Sequence, residues 1–408
     1  MHASKPFRLA VVTETYPPDI NGVAMSLSRL INSLLDRGHS IDLYRVRPHE
    51  QGNVTESSVP VNGGFTETVL AGLPIPAYPE LRMGLPAGRV LGARWRTERP
   101  DLVHVATEGP LGWSALRAAR NLGIPVSSDF RTQFDHYSSH YGLAWLASSI
   151  GALLKAFHNR TDLTTVPTAA LKQDLSNRGF KRLRVLGRGV DASLFDPARR
   201  CSALRSGWGA GPDTPVAICV GRLAAEKNLD LALEAFRAMR DIAPDSRLVL
   251  VGDGPLREAL GQACPEAIFA GRQTGTELAR HYASADLFLF PSLSETFGNV
   301  VTESMASGLA TVAFRHAAAG ELIESATTGW LSDPEDRRGF ISSARALVAD
   351  LPRCRAMGRR AREAVYSLDW PAIASQFESM AQALIEGERL VPTRTPVARL
   401  RASETRPV

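Results

Sequence analysis

The chain contains 408 residues, of which 44% are apolar and 22% are charged, a composition typical of a globular protein. This length exceeds what one ordinary hydrophobic core supports, so we expect two domains. No apolar run reaches the roughly 18 residues that a membrane-spanning helix requires, and the first strand begins near Phe7 with no signal peptide before it. Four cysteines without metal-ligand spacing indicate buried thiols in a reducing cytoplasm.

The two halves of the chain differ in charge. Residues 1–189 contain 22 Lys and Arg against 15 Asp and Glu, a balance of +7, whereas residues 190–387 contain 20 against 25, a balance of −5. A cluster of arginines with apolar neighbours such as Trp95 predicts contact with an anionic acceptor or membrane surface, or else a solvated helix face. No nucleic-acid-binding module is recognisable, so nucleic acid is not an expected partner. The clustered arginines are Arg82, Arg89, Arg94, Arg96 and Arg99.

Apolar strands alternate with helices twice along the chain, which indicates parallel sheets covered on both faces. The predicted fold class is α/β, with two Rossmann-like domains whose parallel sheets face a cleft. The predicted strands are 7–13, 41–46, 102–106, 124–128, 162–166, 215–221, 246–252, 267–271, 286–291 and 310–314. The predicted helices are 22–37, 111–122, 228–241, 254–263, 275–284, 299–307, 336–350, 352–366 and 369–387.

A loop rich in Arg, Gly, Asp and Pro follows Arg188 and suggests the domain boundary. We assign residues 1–188 to the first domain and residues 189–368 to the second. Residues 369–390 are predicted to form a C-terminal helix that crosses back to the first domain. Residues 391–408 contain three prolines and are predicted to be disordered.

The segment from Pro291 to Glu303 carries the strongest functional signal. An apolar strand ends there in a Pro/Ser turn, and a helix is predicted to follow from about Asn299. Ligands bind at the carboxyl edge of open α/β sheets, and a helix N-terminus at that edge favours phosphate. Glu295 on the loop and Glu303 in the helix are able to accept hydrogen bonds from sugar hydroxyls, although acids are favoured at any helix start.

A second loop brings two cations to a helix start. Arg222 and Lys227 precede a helix that Asn228 is expected to cap. Two cations beside a helix end suit a diphosphate, and salt bridges to Glu226 or another neighbour are the alternative. Near strand one, Gly22 lets the backbone approach a ligand at the start of the next helix.

Two further strand ends are rich in glycine. Gly252 and Gly254 begin a G-x-G-x-x-G pattern, but Arg257 breaks it, so we predict a tight structural turn rather than a dinucleotide site. The backbone at Gly271 and Arg272 either contacts a nucleobase or simply ends a strand.

Taken in their order and spacing, these motifs resemble glycosyltransferase family 4 over residues 7–387. Members of that family have the GT-B fold, retain the anomeric configuration, and use sugar nucleotides without a metal or other cofactor. Within the family, Glu14-Thr-Tyr-Pro-Pro and Ala106-Thr-Glu-Gly-Pro110 resemble the branch of α-mannosyltransferases and lipid glucosyl- or sulfoquinovosyltransferases. The matching segments are Glu14-Thr-Tyr-Pro-Pro, Asn21-Gly-Val, Gly189-Val-Asp191, Gly221-Arg-Leu, Glu226-Lys227-Asn228, Val251-Gly-Asp-Gly-Pro255 and the pair Glu295 and Glu303.

The resemblance implies roles for individual residues. Arg222 and Lys227 would hold the donor diphosphate, and Gly22 would let the first loop close over it. Glu303 would accept hydrogen bonds from the ribose hydroxyls, and Glu295 would contact the transferred sugar. The backbone amides expected to meet sugar and phosphate are those of Phe297, Gly298, Asn299 and Val300.

One position departs from the family pattern. Related enzymes often carry a histidine beside the sugar after the strand near 125–128, whereas this chain has Arg131 there. Because an arginine does not act as a base, we predict that Arg131 binds an anionic or polar group. His104, His136 and His140 lie nearby in sequence, and a structural role is the alternative for each of them.

The predicted function is retaining transfer of a hexose, of mannose or glucose type, from a donor such as GDP-mannose or UDP-glucose to a lipid or glycan. A GT-B sugar-nucleotide epimerase and a non-catalytic sugar-nucleotide-binding partner of another transferase are the alternatives. No metal or other cofactor is expected, and a lipid acceptor would imply a peripheral position on the inner face of the membrane. The sequence leaves the donor's base and sugar, the acceptor, the linkage and the oligomeric state open.

Overall fold

The computed structural model describes residues 5–19, 21–47, 58–62, 64–75, 78–131 and 147–387. The predicted disorder of residues 391–408 and the positions of His136 and His140 lie outside these residues. The predicted fold class is confirmed, because the described chain forms two parallel sheets, each covered by helices.

The first sheet has eight strands in the order β10-β9-β8-β7-β1-β2-β4-β3, and only β3 pairs antiparallel to its neighbour. Strands β5 and β6 form a separate antiparallel hairpin. The strand bounds are β1 Arg8–Thr13, β2 Ser40–Val46, β3 Ser58–Asn62, β4 Phe65–Leu70, β5 Gly72–Ile75, β6 Tyr78–Gly84, β7 Leu102–Val105, β8 Val126–Asp129, β9 Leu163–Val166 and β10 Leu183–Val185. The helices of this half are α1 Gly22–Asp36, α2 Gly88–Thr97, α3 Pro110–Asn121, α4 Ala147–His158 and α5 Ala169–Asn177.

The second sheet has six parallel strands in the order β13-β12-β11-β14-β15-β16. Its strands are β11 Val216–Val220, β12 Arg247–Val251, β13 Ile268–Gly271, β14 Leu287–Phe290, β15 Ala310–Phe314 and β16 Gly329–Ser332. The helices are α6 Ser202–Gly207, α7 Leu229–Arg240, α8 Arg257–Ala263, α9 Gly275–Ser284, α10 Asn299–Ala306, α11 Ala317–Leu322, α12 Arg337–Ala349, α13 Leu351–Val365 and α14 Trp370–Ile385.

The core of each sheet lies on both of its faces, as two-sided coverage by helices requires. The last helix, α14, packs on the first sheet rather than the second. Its buried Ile373 and Phe377 belong to the same apolar cluster as Leu9 and Val11 of β1. The chain therefore passes from the second sheet back to the first before it ends.

The predicted elements lie within three residues of the observed ones. Strands β3 to β6, β10 and β16 were not predicted, and neither were helices α2, α4, α5, α6 and α11. Strand β4 was missed because Thr66, Glu67 and Thr68 give it no apolar run, and β10 and β16 are short. Strands β3, β10 and β16 lie at sheet edges, β4 lies next to the edge strand β3, and β5 and β6 lie outside the two large sheets, where a weaker apolar signal is expected.

Candidate active site

The loop after β11 carries the two predicted diphosphate cations. Gly221, with φ 146°, turns the chain out of the strand, and Arg222 is exposed at the turn. A methyl group on Gly252 would lie 1.9 Å from the carbonyl oxygen of Gly221, and one on Gly254 would lie 2.5 Å from that of Leu223. The glycine-rich turn after β12 therefore has the structural role that the sequence predicted, because its glycines let it pack directly against the loop that carries Arg222.

Lys227 forms an ion pair with Glu295, which lies on the loop after β14. Ser292 donates a hydrogen bond of 3.2 Å to Glu295 Oε1, so two donors fix this carboxylate. Both ionic side chains are only partly exposed. The structure thus brings together Lys227 and Glu295, which the sequence places 68 residues apart.

Asn228 does not cap α7 with its side chain, contrary to the prediction. It adopts a left-handed conformation with φ 52°, and no side-chain capping hydrogen bond forms. Its Nδ2 instead donates to the carbonyl of Pro291 at 3.2 Å. The prediction was wrong because this hydrogen bond draws the amide towards β14. The residue joins the two loops rather than the helix start.

Helix α10 begins at the carboxyl edge of the second sheet. Gly298, with φ 91°, occupies the N-cap, and no side chain bonds to the first turn. The amides of Asn299 and Val300 in that turn have no acceptor within the helix. Phe297 is buried, and its carbonyl accepts a hydrogen bond of 2.9 Å from the amide of Ala318. This local structure suits a ligand with negative charge.

Glu303 lies one turn inside α10 and is partly buried. The hydroxyl of Tyr282 donates to Glu303 Oε2 at 3.2 Å. Burial raises the pKa of the Glu303 carboxyl to about 7, and the Tyr282 hydrogen bond only partly offsets this rise. A carboxyl with this pKa changes its protonation state near neutral pH.

Gly22 and Asn299 face one another from the two halves of the chain. A methyl group on Gly22 would lie 3.7 Å from Asn299 Nδ2. Gly271 has φ 69°, and its carbonyl accepts a hydrogen bond of 2.8 Å from the amide of Gly252. Arg272 is exposed beside it. The start of α1 is therefore close to the start of α10, while Gly271 and Arg272 lie at the end of β13.

Arg131 is buried, and its guanidinium contacts other parts of the protein. It forms an ion pair with Asp129 and donates to Ser26 Oγ at 2.6 Å. Arg188 lies 3.8 Å from the same carboxylate. These contacts use the arginine to hold β8 against α1, so the predicted contact with an anionic or polar ligand stays a prediction without support from this geometry.

His104 is also buried at this position. Its Nδ1 lies 2.9 Å from Ser127 Oγ, and its Nε2 lies 3.6 Å from Asp129 Oδ2. The arginines on either side hold the pKa of Asp129 well below its usual range, against the opposing effect of burial. These contacts favour the structural alternative for His104.

Polar contacts between loops and helix ends connect the two halves across the cleft. The hydroxyl of Thr296 donates to the carbonyl of Arg131 at 2.9 Å. The carboxylate of Glu321, on α11, accepts hydrogen bonds from the amides of Ala169 and Ala170 at the start of α5, the latter at 3.2 Å. Sequence reasoning missed Glu321 because a single exposed acid in a helix has no signal of its own.

In the described part of the chain, no group of three or more His, Cys, Asp or Glu residues is placed to hold a metal ion. No described helix is long and apolar enough to cross a membrane.

Three of the four cysteines are buried, whereas Cys201 is partly exposed, contrary to the expectation for that residue. Cys201 is accessible because it precedes the short surface helix α6, where its sulfur lies 3.1 Å from Arg280.

Both halves of the chain match known families. Residues 20–194 match the family described as Glycosyltransferase Family 4, and residues 214–350 match Glycosyl transferases group 1. The chain is 33% identical to a GDP-mannose-dependent alpha-mannosyltransferase of Corynebacterium glutamicum, over 92% of this chain and 89% of that protein. It is 30% identical to Sulfoquinovosyl transferase SQD2 of Arabidopsis thaliana, over 92% and 73% respectively.

A third relative, the alpha-monoglucosyldiacylglycerol synthase of Streptococcus pneumoniae, is 27% identical over 84% of this chain and 79% of its own length. Among solved structures, sucrose-phosphate synthase from Thermosynechococcus elongatus matches with a TM-score of 0.75 and 19% identity. That match covers 94% of this chain and 100% of the other. It shows the fold, which is GT-B, and the relatives confirm the branch that the motifs resemble.

Proposed function

Because this chain belongs to glycosyltransferase family 4, we propose that it transfers mannose from GDP-mannose, with retention of configuration, to a lipid acceptor. The observation that carries the proposal is the meeting of Arg222, Lys227, Glu295 and the α10 N-terminus at one sheet edge. This arrangement offers cations and amides to a diphosphate and carboxylates to sugar hydroxyls. A GDP-mannose-dependent relative at 33% identity supports the choice of donor.

The leaving diphosphate gains negative charge as the anomeric bond breaks. Arg222 and Lys227 stabilise that charge. The first-turn amides of α10 add to this stabilisation, because they are already oriented before the bond breaks. We propose that this cationic loop makes a metal ion and any other cofactor unnecessary. Activity that survives a metal chelator supports the claim, and activity that disappears with chelator and returns with a divalent ion contradicts it.

The two carboxylates divide the recognition of the donor. Glu295, fixed by Lys227 and Ser292, contacts the transferred sugar, where charge develops. Glu303, deeper along α10, accepts hydrogen bonds from the ribose hydroxyls. The amides of Phe297 to Val300 approach the sugar and phosphate, and Gly271 and Arg272 lie towards the base.

The acceptor enters from the side of the first sheet, and its hydroxyl proton passes to the departing phosphate oxygen. This route requires no base from the protein, which agrees with the buried ion pair of Arg131. The first and second halves align donor and acceptor by closing on each other, and Gly22 allows α1 to approach the diphosphate. Arg131 then acts through the position of α1 rather than on the substrate.

We propose a lipid acceptor and a peripheral position on the inner face of the membrane. The relative that is a diacylglycerol glycolipid synthase supports this choice, and so does the +7 balance of residues 1–189. Long arginine side chains near an anionic surface are attracted to it over about a Debye length of 8 Å. A glycan acceptor is the outcome if water-soluble sugars are glycosylated and lipids are not.

A thermal-shift screen against GDP-mannose, UDP-glucose, UDP-galactose, GDP and UDP tests the donor. A ligand that binds the folded protein raises its melting temperature by mass action. We expect GDP-mannose and GDP to stabilise the protein more than the uridine compounds. A larger shift of the melting temperature with UDP-glucose overturns the donor assignment. In a separate incubation with labelled donor, conversion of the donor sugar without transfer identifies an epimerase instead.

A further inference from the structure

Strands β5 and β6 form a hairpin that lies outside both large sheets. The register pairs Gly72 with Gly84 and Leu73 with Met83, so each pair shares one face of the hairpin. Because successive side chains point to opposite faces, the glycine pair and the Leu73–Met83 pair face opposite ways. The two faces of this hairpin therefore differ in chemistry.

The glycine face lies directly on the domain core. A methyl group on Gly72 would be 2.3 Å from Val46 Cγ1, and one on Gly84 would be 2.6 Å from Leu111 Cβ. No larger residue fits at either position unless β2 or α3 moves. The two glycines thus allow the hairpin to pack closely against the core, and the Leu73–Met83 face points outward.

The outward face is apolar. Leu73, Met83 and Leu85 are 53%, 41% and 39% exposed. The amide of Leu85 donates to the carbonyl of Ala71 at 3.0 Å, which continues the ladder and keeps Leu85 on the face of Met83. The other large apolar residues of comparable exposure, among those described, are spread over separate elements; they are Met25, Leu153, Ile242 and Tyr366. The three hairpin residues form an apolar patch, which we call the hairpin patch.

Helix α2 follows the hairpin patch directly in the chain and carries positive charge. Its large apolar members Leu91 and Trp95 are buried, so Trp95 contributes to the core and not to an apolar surface. Its arginines are turned outwards because the core takes the apolar face, and Arg89 and Arg96 are exposed. Residues 72–99 contain five Arg against two Glu.

The hairpin patch adjoins the mouth of the cleft. The amide of Gly84 donates to Glu14 Oε1 at 3.2 Å. Glu14 directly follows β1, whose carboxyl end lies at the ligand-binding edge of the sheet. A surface that touches the patch therefore lies beside the side of the cleft where an acceptor enters.

We propose that the hairpin patch inserts between the headgroups of an anionic lipid bilayer, while the arginines of α2 bind the anionic headgroups. A bilayer fits both parts of this surface, because apolar side chains partition into the interface and cations are drawn to anionic lipids. This inference rests on the proposed lipid acceptor. It explains how a protein whose described helices do not span a membrane holds its cleft against a membrane-bound substrate.

Flotation with vesicles tests the proposal. The hairpin variant carries Leu73→Ser, Met83→Ser and Leu85→Ser, and the matched control carries Ile242→Ser and Tyr366→Ser on the second half of the chain. With vesicles of phosphatidylcholine and phosphatidylglycerol, we expect the hairpin variant to bind at least about tenfold more weakly and the control to bind like wild type, since only the former loses apolar area at the interface. Circular dichroism and the GDP thermal shift verify that both variants fold.

Salt separates the two parts of the surface. High salt should remove only part of the wild-type binding, because apolar insertion is not screened. A variant with Arg89→Ala and Arg96→Ala should retain the salt-resistant part and lose the preference for phosphatidylglycerol. Unchanged vesicle binding by the hairpin variant overturns the proposal, and so does a wild type that stays unbound at low salt.

The vesicle-binding test of the hairpin patch and the transfer test of the proposed function have distinguishable outcomes. Mannose transfer to lipid with normal vesicle binding by the hairpin variant contradicts this inference and leaves the function intact. Hairpin-dependent vesicle binding without any transfer to lipid contradicts the function and leaves the surface intact. If the hairpin variant changes only self-association in sedimentation experiments, the patch is a protein interface and the proposal is wrong.

Discussion

The ammonium group of Lys227 contacts Glu295 Oε1 and so joins the loop after β11 to the loop after β14. Each residue fixes the position of the other. Because groups in direct contact do not contribute independently, the two residues should act on the donor as one unit.

A double-mutant cycle tests this coupling. We expect Lys227→Met and Glu295→Gln each to lower kcat/KM at least about 100-fold, since each removes a preorganised contact to developing charge. The double variant should be far less impaired than the product of the two single effects. Arg337 and Glu234 form an exposed ion pair on the same sheet half, at 2.6 Å, and Arg337→Met serves as the matched control. Strict multiplication of the two single effects would show that the pair is incidental.

Glu303 should make donor binding depend on pH. Burial raises its pKa to about 7, and the ionised form is the better acceptor for ribose hydroxyls. Donor affinity should therefore increase as pH rises through about 7, and Glu303→Gln should bind weakly at every pH. Tyr282→Phe removes the one hydrogen bond that lowers this pKa, so the midpoint should move to higher pH. Calorimetry across this pH range measures both, and a midpoint unaffected by Tyr282→Phe contradicts the assignment.

The same pKa makes a prediction for stability. In the folded protein the Glu303 carboxyl keeps its proton up to about pH 7, whereas its ordinary value is 4.5. Between these values the folded state binds more protons than the unfolded state, so this group's contribution to the free energy of unfolding falls as pH rises. Urea unfolding should show a flatter decline between about pH 5 and pH 7 for Glu303→Gln than for wild type, because only the wild-type carboxyl has a pKa raised to about 7 by folding. An unchanged slope would contradict the raised pKa.

Arg131→Ala should destabilise the protein without altering donor affinity. Its ion pair with Asp129 is buried, and removing one partner of such a pair costs about 3 kcal/mol. Arg188 at 3.8 Å still partly compensates the carboxylate, so the loss should grow in the double variant Arg131→Ala, Arg188→Ala. Urea unfolding measures the stability and calorimetry the affinity for GDP. A stable variant that binds the donor poorly would mean that Arg131 contacts the ligand.

Glu321 should favour the closed arrangement of the two halves. Its carboxylate accepts from the amides that begin α5, where negative charge is favourable by about 0.3–1 kcal/mol. Glu321→Gln should therefore reduce kcat about two- to fivefold and increase the radius of gyration in small-angle scattering. Glu324→Gln, an exposed acid three residues further along, is the control. Equal effects of the two substitutions would contradict a specific contact.

Much of this architecture was predictable because apolar strands buried on both faces give continuous runs such as Leu287 to Phe290. The loops of the candidate site were also predictable, since Arg222 and Glu295 follow such strands directly. Side-chain contacts were not. Asn228 bonds to Pro291 rather than capping its helix, and Arg131 donates to Ser26 on α1, and both contacts join segments that are distant in sequence.

The most direct test is transfer of labelled mannose from GDP-mannose to extracted membrane lipid, by wild type and by the Arg222→Ala, Lys227→Met and Arg337→Met variants. We expect wild type and Arg337→Met to release GDP and to form a lipid-soluble α-mannoside, and the other two to lose at least about 100-fold in rate. Undiminished transfer by Arg222→Ala and Lys227→Met, or no transfer to any acceptor by the wild type, would contradict the account.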